Sequence, residues 1–216
     1  MKKILFVLTL VISMFFICCT SANADIMPYY VESISKEAIG VYQADKLVTV
    51  YQKPDENSPV LVTANRHNNN FYSEINIADM FVVLNQSKNL AFILATDDYD
   101  GWVEVIYDQK KNLKGWVKKA DEFQFLPWRN FYNLYGKKYG LYLMKNTKEA
   151  QRELHSASAS ASQVVDRINL PKLIKLTIVR GNWALVSVLD YDKRPKTGYL
   201  QWRSIDGTIY AFPDIK

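Results

Sequence analysis

The apolar positions along this chain follow three patterns. The first is a nearly unbroken run from Ile4 to Cys18, interrupted by Thr9 and Ser13. Lys2 and Lys3 precede it and Ala22-Asn-Ala24 follows. A charged start, a short apolar run and small residues at a cleavage position read as a secretory signal peptide over 1–24. The run is shorter than the roughly 20 residues a spanning helix needs, which argues against a membrane anchor. Cys18 and Cys19 raise lipoprotein processing, but Ile17 and Cys18 are not the small residues that such processing needs before its cysteine. The chain is therefore expected to be exported, to the periplasm or the extracellular space. No membrane insertion is expected after leader cleavage.

The second pattern begins near Val41, after an N-terminal segment over 25–40. Short β-rich runs alternate with turn signals. Leu47 to Tyr51 is β-branched and ends at Lys53-Pro-Asp55. Asn89 to Thr96, Trp102 to Tyr107 and Gly115 to Val117 follow, with Asp97-Asp-Tyr-Asp-Gly101 as a turn and 108–114 as a polar loop. Later, Leu173 to Val179 and Trp183 to Leu189 flank a tight turn at Arg180-Gly-Asn182, and Gly198-Tyr-Leu200 follows a polar loop. Many short strands at close spacing predict a mainly β protein of small barrels or a sandwich. Ser156 to Ser162 reads S-A-S-A-S-A-S, which predicts a flexible loop tip, the alternative being a close-packed strand of alternating small residues.

The third pattern is helical. Trp128, Phe131, Tyr132 and Tyr135 share one helix face, with Pro127 before them and Gly136 after. A connecting helix over 125–138 is expected, packed by its aromatic side.

Composition changes this picture mainly through the leader. The chain has 216 residues, 2 Cys, 2 His and a net charge of +5. Both cysteines lie in the leader, and losing Lys2 and Lys3 lowers the charge from +5 to +3. An exported chain without cysteine has no disulfide and is held by its core. It also lacks a thiol nucleophile. His67 and His155 stand far apart and read as solvated loop histidines, so no metal site and no cofactor are expected. No nucleophile elbow, phosphate loop or dinucleotide fingerprint occurs, and no catalytic residue is assigned.

The two halves repeat a skeleton. Gly101 precedes Trp102, Val105 follows, then Gly115-Trp-Val117. Gly181-Asn182 precedes Trp183, Val186 follows, then Gly198-Tyr-Leu200. Such repetition suggests two copies of one small domain.

These residues resemble the bacterial SH3-like (Src homology 3) domain. Val48 to Pro54 looks like its first strand and proline turn, Asp100 to Val105 like its glycine-turn tryptophan, and Lys114 to Val117 like its closing Gly-Trp-Val. The second copy is degenerate, with Tyr199 in place of the tryptophan. The resemblance implies one barrel over 41–124 with an insertion around 65–76, and a second over 139–216. It also implies non-catalytic recognition of cell-wall peptidoglycan or of an envelope peptide or protein. Nucleic acid is not an expected partner outside the cytoplasm. The candidate ligand-binding residues are Tyr51, Asp97, Asp98, Trp102, Trp116, Trp183, Tyr199 and Trp202. Among them Trp102 and Trp183 are expected at groove edges, with Trp116 more buried. Lys110, Lys111, Lys114, Lys118 and Lys119 form a basic patch that suits an anionic envelope polymer or merely protects a strand edge. Two rivals remain: a cell-wall hydrolase with a dispersed carboxylate pair, and a structural or inhibitory partner of a secreted enzyme.

Overall fold

The computed structural model describes residues 33–68, 70–145, 147–191 and 194–215. The leader over 1–24 and the first half of the 25–40 segment lie outside the described residues. The chain is mainly β, and its strands form two antiparallel sheets. The first contains β1 (Gly40–Gln43), β2 (Leu47–Tyr51), β3 (Val60–His67), β4 (Asn70–Ser73), β5 (Val83–Asn85), β6 (Leu90–Tyr99), β7 (Trp102–Asp108), β8 (Leu113–Lys118) and β9 (Phe125–Pro127). The second contains β10 (Leu141–Leu143), β11 (Glu153–His155), β12 (Val164–Arg167), β13 (Pro171–Arg180), β14 (Trp183–Asp190), β15 (Pro195–Gln201) and β16 (Ala211–Pro213).

The two sheets share a strand order. It is β3-β2-β8-β7-β6-β1-β9 in the first and β12-β11-β15-β14-β13-β10-β16 in the second. The first sheet adds β4, the helical turn α1 (Ile77–Met80) and β5, all between β3 and β6. The match extends to single residues. Tyr51 stands opposite Val60 and Trp116, as His155 stands opposite Val164 and Tyr199. Trp102 faces Lys118 as Trp183 faces Gln201. Each sheet is bulged at the same two places, between Val50 and Tyr51 or Leu154 and His155, and at Thr96 or Thr177. A bulge bends its strand, so matched bulges give matched curvature.

Gly115 and Gly198 show why the repeat needs glycine. A Cβ on Gly115 would stand 2.5 Å from Val50 Cγ1 and 2.9 Å from the Tyr51 carbonyl. On Gly198 it would stand 2.9 Å from Leu154 Cβ and 3.1 Å from the His155 carbonyl. The same two strands crowd the same glycine in both halves.

The hairpin loops after β2 and β11 differ in sequence but not in backbone. The Gln52 N–H donates to the Pro59 carbonyl and Ser156 N–H to that of Gln163, at 2.9 Å each. Asp55 N–H to Lys53 and Ser58 N–H to Asp55 recur as Ala159 to Ala157 and Ser162 to Ala159. The Ser/Ala tract is thus a loop with a defined set of hydrogen bonds. The Ser162 hydroxyl adds bonds to the Ala157 and Ala159 carbonyls.

Between the sheets, α2 (Trp128–Phe131), a π turn (Tyr132–Gly136) and α3 (Lys137–Tyr139) form one helical path. The connecting helix expected over 125–138 starts later, because Phe125–Pro127 pairs with β1 as a strand, and the path runs through Gly136. The path ends at Gly140, whose φ of 82° only glycine adopts cheaply. Trp128, Phe131 and Tyr132 are buried, and their rings meet Phe92, Trp202 and Phe212.

The core has two parts. Val48, Val50, Ala91, Ile93, Ala95, Val103, Val105 and Val117 pack inside the first sheet. Phe92 and Leu94, on the opposite face of β6, pack with the helical path and the second half. Strand β6 is therefore buried on both faces, which explains its unalternating run of apolar residues.

Candidate functional site

Trp102 and Trp183 each open the return strand of a two-residue hairpin. Asp100 and Gly101 turn the first at φ 45° and 80°, and Gly181 turns the second at φ 56°. The turn expected over 97–101 is thus shorter, because β6 continues to Tyr99. Side chains alternate along a strand. With Val103, Val105 and Val117 facing the core, Trp102, Glu104, Trp116 and Lys118 face outward.

The first outward face gathers three of the candidate residues. Tyr51 and Trp116 are half-buried and directly opposite in the ladder. Trp102 meets Tyr51 edge-on, with ring centroids 5.5 Å apart. Glu104 lies beside Trp116 and accepts a 2.5 Å hydrogen bond from the Thr96 hydroxyl. This arrangement offers an aromatic edge beside a fixed carboxylate, which suits a sugar or a peptide.

The second face carries the equivalent positions with other side chains. Trp183 meets the His155 ring edge-on at 5.0 Å. Tyr199 stands opposite His155, and the Arg180 guanidinium lies 5.8 Å from its ring centroid. His155 is not the solvated loop residue expected from sequence. It is 8% exposed, and its Nδ1 donates to the Ser162 carbonyl at 3.1 Å. The alternation of small residues beside it hid its strand.

The expected exposure of the tryptophans is reversed. Trp102 and Trp183 are each 9% exposed, because Tyr51 and His155 cover them, whereas Trp116 keeps more surface on the outward pleat of β8. Trp202 is 2% exposed, donates its Nε1–H to the Gly181 carbonyl at 3.0 Å, and packs on Tyr132 with centroids 4.2 Å apart. It braces the core between the halves and presents no ligand surface. Asp97 and Asp98 lie on β6, not in a turn; Asp98 binds the Lys119 ammonium at 2.5 Å.

The basic patch is largely neutralised. Lys111 pairs with Asp108, Lys114 with Glu37, Lys118 with Glu56 and Lys119 with Asp98. It therefore offers little net field to an anionic polymer.

One buried charge pair escaped sequence reasoning. Lys196 Nζ lies 2.8 Å from Asp190 Oδ2, 2.9 Å from the Arg167 carbonyl and 3.5 Å from Asp166 Oδ1. Both residues fell in a stretch that reads as a polar loop, and no spacing rule marks them as partners. Two interior tyrosines are also shifted. Burial, with Asp121 and Asp45 nearby, pushes the Tyr42 hydroxyl up to about 12. Burial pushes Tyr132 well above the usual tyrosine range, and its hydroxyl donates to the Ala211 carbonyl at 2.5 Å. Among the described residues no group of three or more His, Cys, Asp or Glu is placed to hold a metal ion. No helix among them is long and apolar enough to cross a membrane.

No protein-family model matches this chain, and no curated protein matches it either.

Proposed function

We propose that this is an exported, non-catalytic binding protein made of two SH3-like barrels joined by the helical path. Its first barrel recognises cell-wall peptidoglycan or an envelope peptide through Tyr51 and Trp116, with Trp102 packed edge-on beneath Tyr51 as their support. The observation that carries this reading is the residue-for-residue repetition of the two sheets, with aromatic side chains at the equivalent outward positions.

Barrel closure is supported by the pairing of residues 40–51. Through β1 they pair with β6, and through β2 they pair with β8. One stretch of chain thus bridges both edges of the β6-β7-β8 meander. In the second half β10 pairs with β13 and β11 with β15, the same two seams. A small closed barrel places its alternate residues outside, where an aromatic face meets a ligand. Export rests on the leader.

The test is co-sedimentation of the purified protein with insoluble peptidoglycan, beside a turbidity assay on the same walls. The expected result is sedimentation without lysis, reduced at least fivefold by Trp116→Ala. Absence of sedimentation refutes the cell-wall ligand. Lysis that disappears when one Asp or Glu is replaced establishes the hydrolase instead.

A further inference from the structure

The two halves differ most at one seam. In the first, β1 runs along β6 at four successive positions, from Gly40 opposite Ala95 to Gln43 opposite Phe92. The Ile39 and Ala44 N–H groups extend that seam by donating to Ala95 and Ala91. In the second, β10 meets β13 at a single position, Leu141 opposite Ile174. Beyond it the chain leaves along 144–152 toward β11, where the first half uses the short link 44–46. Among the described residues no strand pairs with 171–173 on the β10 side. A groove of about 650 Å³ occupies that place, between Leu141–Lys145 and Asn169–Ile174.

We propose that this open seam is a docking site for an extended acidic peptide segment of a partner protein, which adds to the β13 edge as a strand. Edge addition uses main-chain hydrogen bonds for affinity and alternate side chains for selectivity. The rim supplies the side-chain contacts, and because Pro171 has no N–H, the main-chain donors of 171–173 are confined to Lys172 and Leu173. Leu170 and Leu173 are 69% and 49% exposed, an apolar cost in water that a docked strand would remove. Among the described residues that line the groove, Lys145, Arg152 and Lys172 are cationic and Asp214 is anionic, with Lys172 exposed at the rim. Arg152 is held there by donating from Nε and Nη2 to the Thr147 carbonyl. An occupant alternating acidic and apolar side chains complements this rim. The seam is separate from the aromatic faces, so the proposal does not depend on the cell-wall reading.

The test measures fluorescence anisotropy of labelled peptides against the purified protein. The probes are an octapeptide of alternating Glu and Leu, its Lys and Leu counterpart, and the Glu-Leu peptide N-methylated at alternate residues. The Glu-Leu peptide is expected to bind saturably and at least tenfold more tightly than either of the others. Lys172→Glu, at an exposed position, is expected to weaken it at least fivefold, while Trp116→Ala leaves it within twofold. The proposal is overturned by no saturable binding, by equal binding of the Lys-Leu or N-methylated peptide, or by indifference to Lys172→Glu. It is equally overturned if Trp116→Ala abolishes binding, which would put the peptide on the aromatic face. Failure of cell-wall sedimentation with the Glu-Leu result intact would refute the earlier reading alone.

Discussion

Replacing Gly115 or Gly198 by alanine tests whether the two halves are built alike. In a strand with room for a methyl group the change stabilises, because glycine costs about 0.5–1 kcal/mol relative to alanine there. Here the new Cβ on Gly115 would lie 2.5 Å from Val50 Cγ1 and 2.9 Å from a backbone oxygen, which cannot rotate away. Gly198 is less crowded, at 2.9 Å and 3.1 Å from the equivalent atoms. Forcing a methylene into a packed site costs about 1–3 kcal/mol. The net expectation is a loss of about 2 kcal/mol for Gly115→Ala and about 1 kcal/mol for Gly198→Ala. At about 2–4 °C per kcal/mol for a chain of this size, Tm falls by about 4–8 °C and about 2–4 °C. Urea unfolding followed by tryptophan fluorescence reads the loss as a lower midpoint with an unchanged slope. If Gly115→Ala is neutral or stabilising, the strand crossing is looser than described. If Gly198→Ala costs more than Gly115→Ala, the equivalence of the seams is wrong.

Other outcomes follow from the same geometry. Lys196→Met leaves Asp190 buried without its cation and is expected to cost about 3–5 kcal/mol, most of it recovered in the Lys196→Met/Asp190→Leu double variant by urea titration. Trp202→Ala is expected to cost about 3–5 kcal/mol through a core cavity, whereas Trp116→Ala costs about 1 kcal/mol or less and acts on ligand sedimentation. Tyr42 is raised to about 12 when folded, so the unfolded chain loses that proton first as pH rises. Its contribution is present below about pH 10, and it is lost from there up to about 12 at about 1.4 kcal/mol per pH unit. Tyr132 adds in the same direction, and Tyr42→Phe should flatten the alkaline fall seen in a pH series of urea midpoints.

The strand runs and the internal repeat were legible because both are local. Alternation marked β7 and β8, and Gly-Trp marked the seam beside β2. What escaped was set by tertiary packing. Gly136 read as a helix end, but a π turn carries the path through it to Gly140. The Asp97–Gly101 turn shrank because Asp97, Asp98 and Tyr99 pair with Glu104, Val103 and Trp102, which leaves Asp100 and Gly101 as the turn. Further repeat signals were present but too short to weigh alone. Gly40-Val-Tyr42 answers Gly140-Leu-Tyr142, and Phe125-Leu-Pro127 answers Ala211-Phe-Pro213; these triplets lie at β1, β9, β10 and β16. The Lys196–Asp190 pair and the split β10 seam have no sequence signature, since each depends on which distant strands meet.

The comparison of halves separates what the fold requires from what a ligand would read. Positions that set geometry keep their residue type: Gly115 and Gly198, Trp102 and Trp183, Thr96 and Thr177. Outward positions change: Tyr51 becomes His155, Trp116 becomes Tyr199, Tyr99 becomes Arg180, and the Lys53–Ser58 loop becomes Ala157–Ser162 on an identical hydrogen-bond frame. Two faces with different charge and aromatic content do not present the same site twice. The first half keeps its β1–β6 seam closed and offers an aromatic face. The second opens the corresponding seam and offers a groove with Lys172 exposed at its rim. On the proposed reading the first half faces a polymer and the second a peptide, and the divergence of these outward positions follows from that difference.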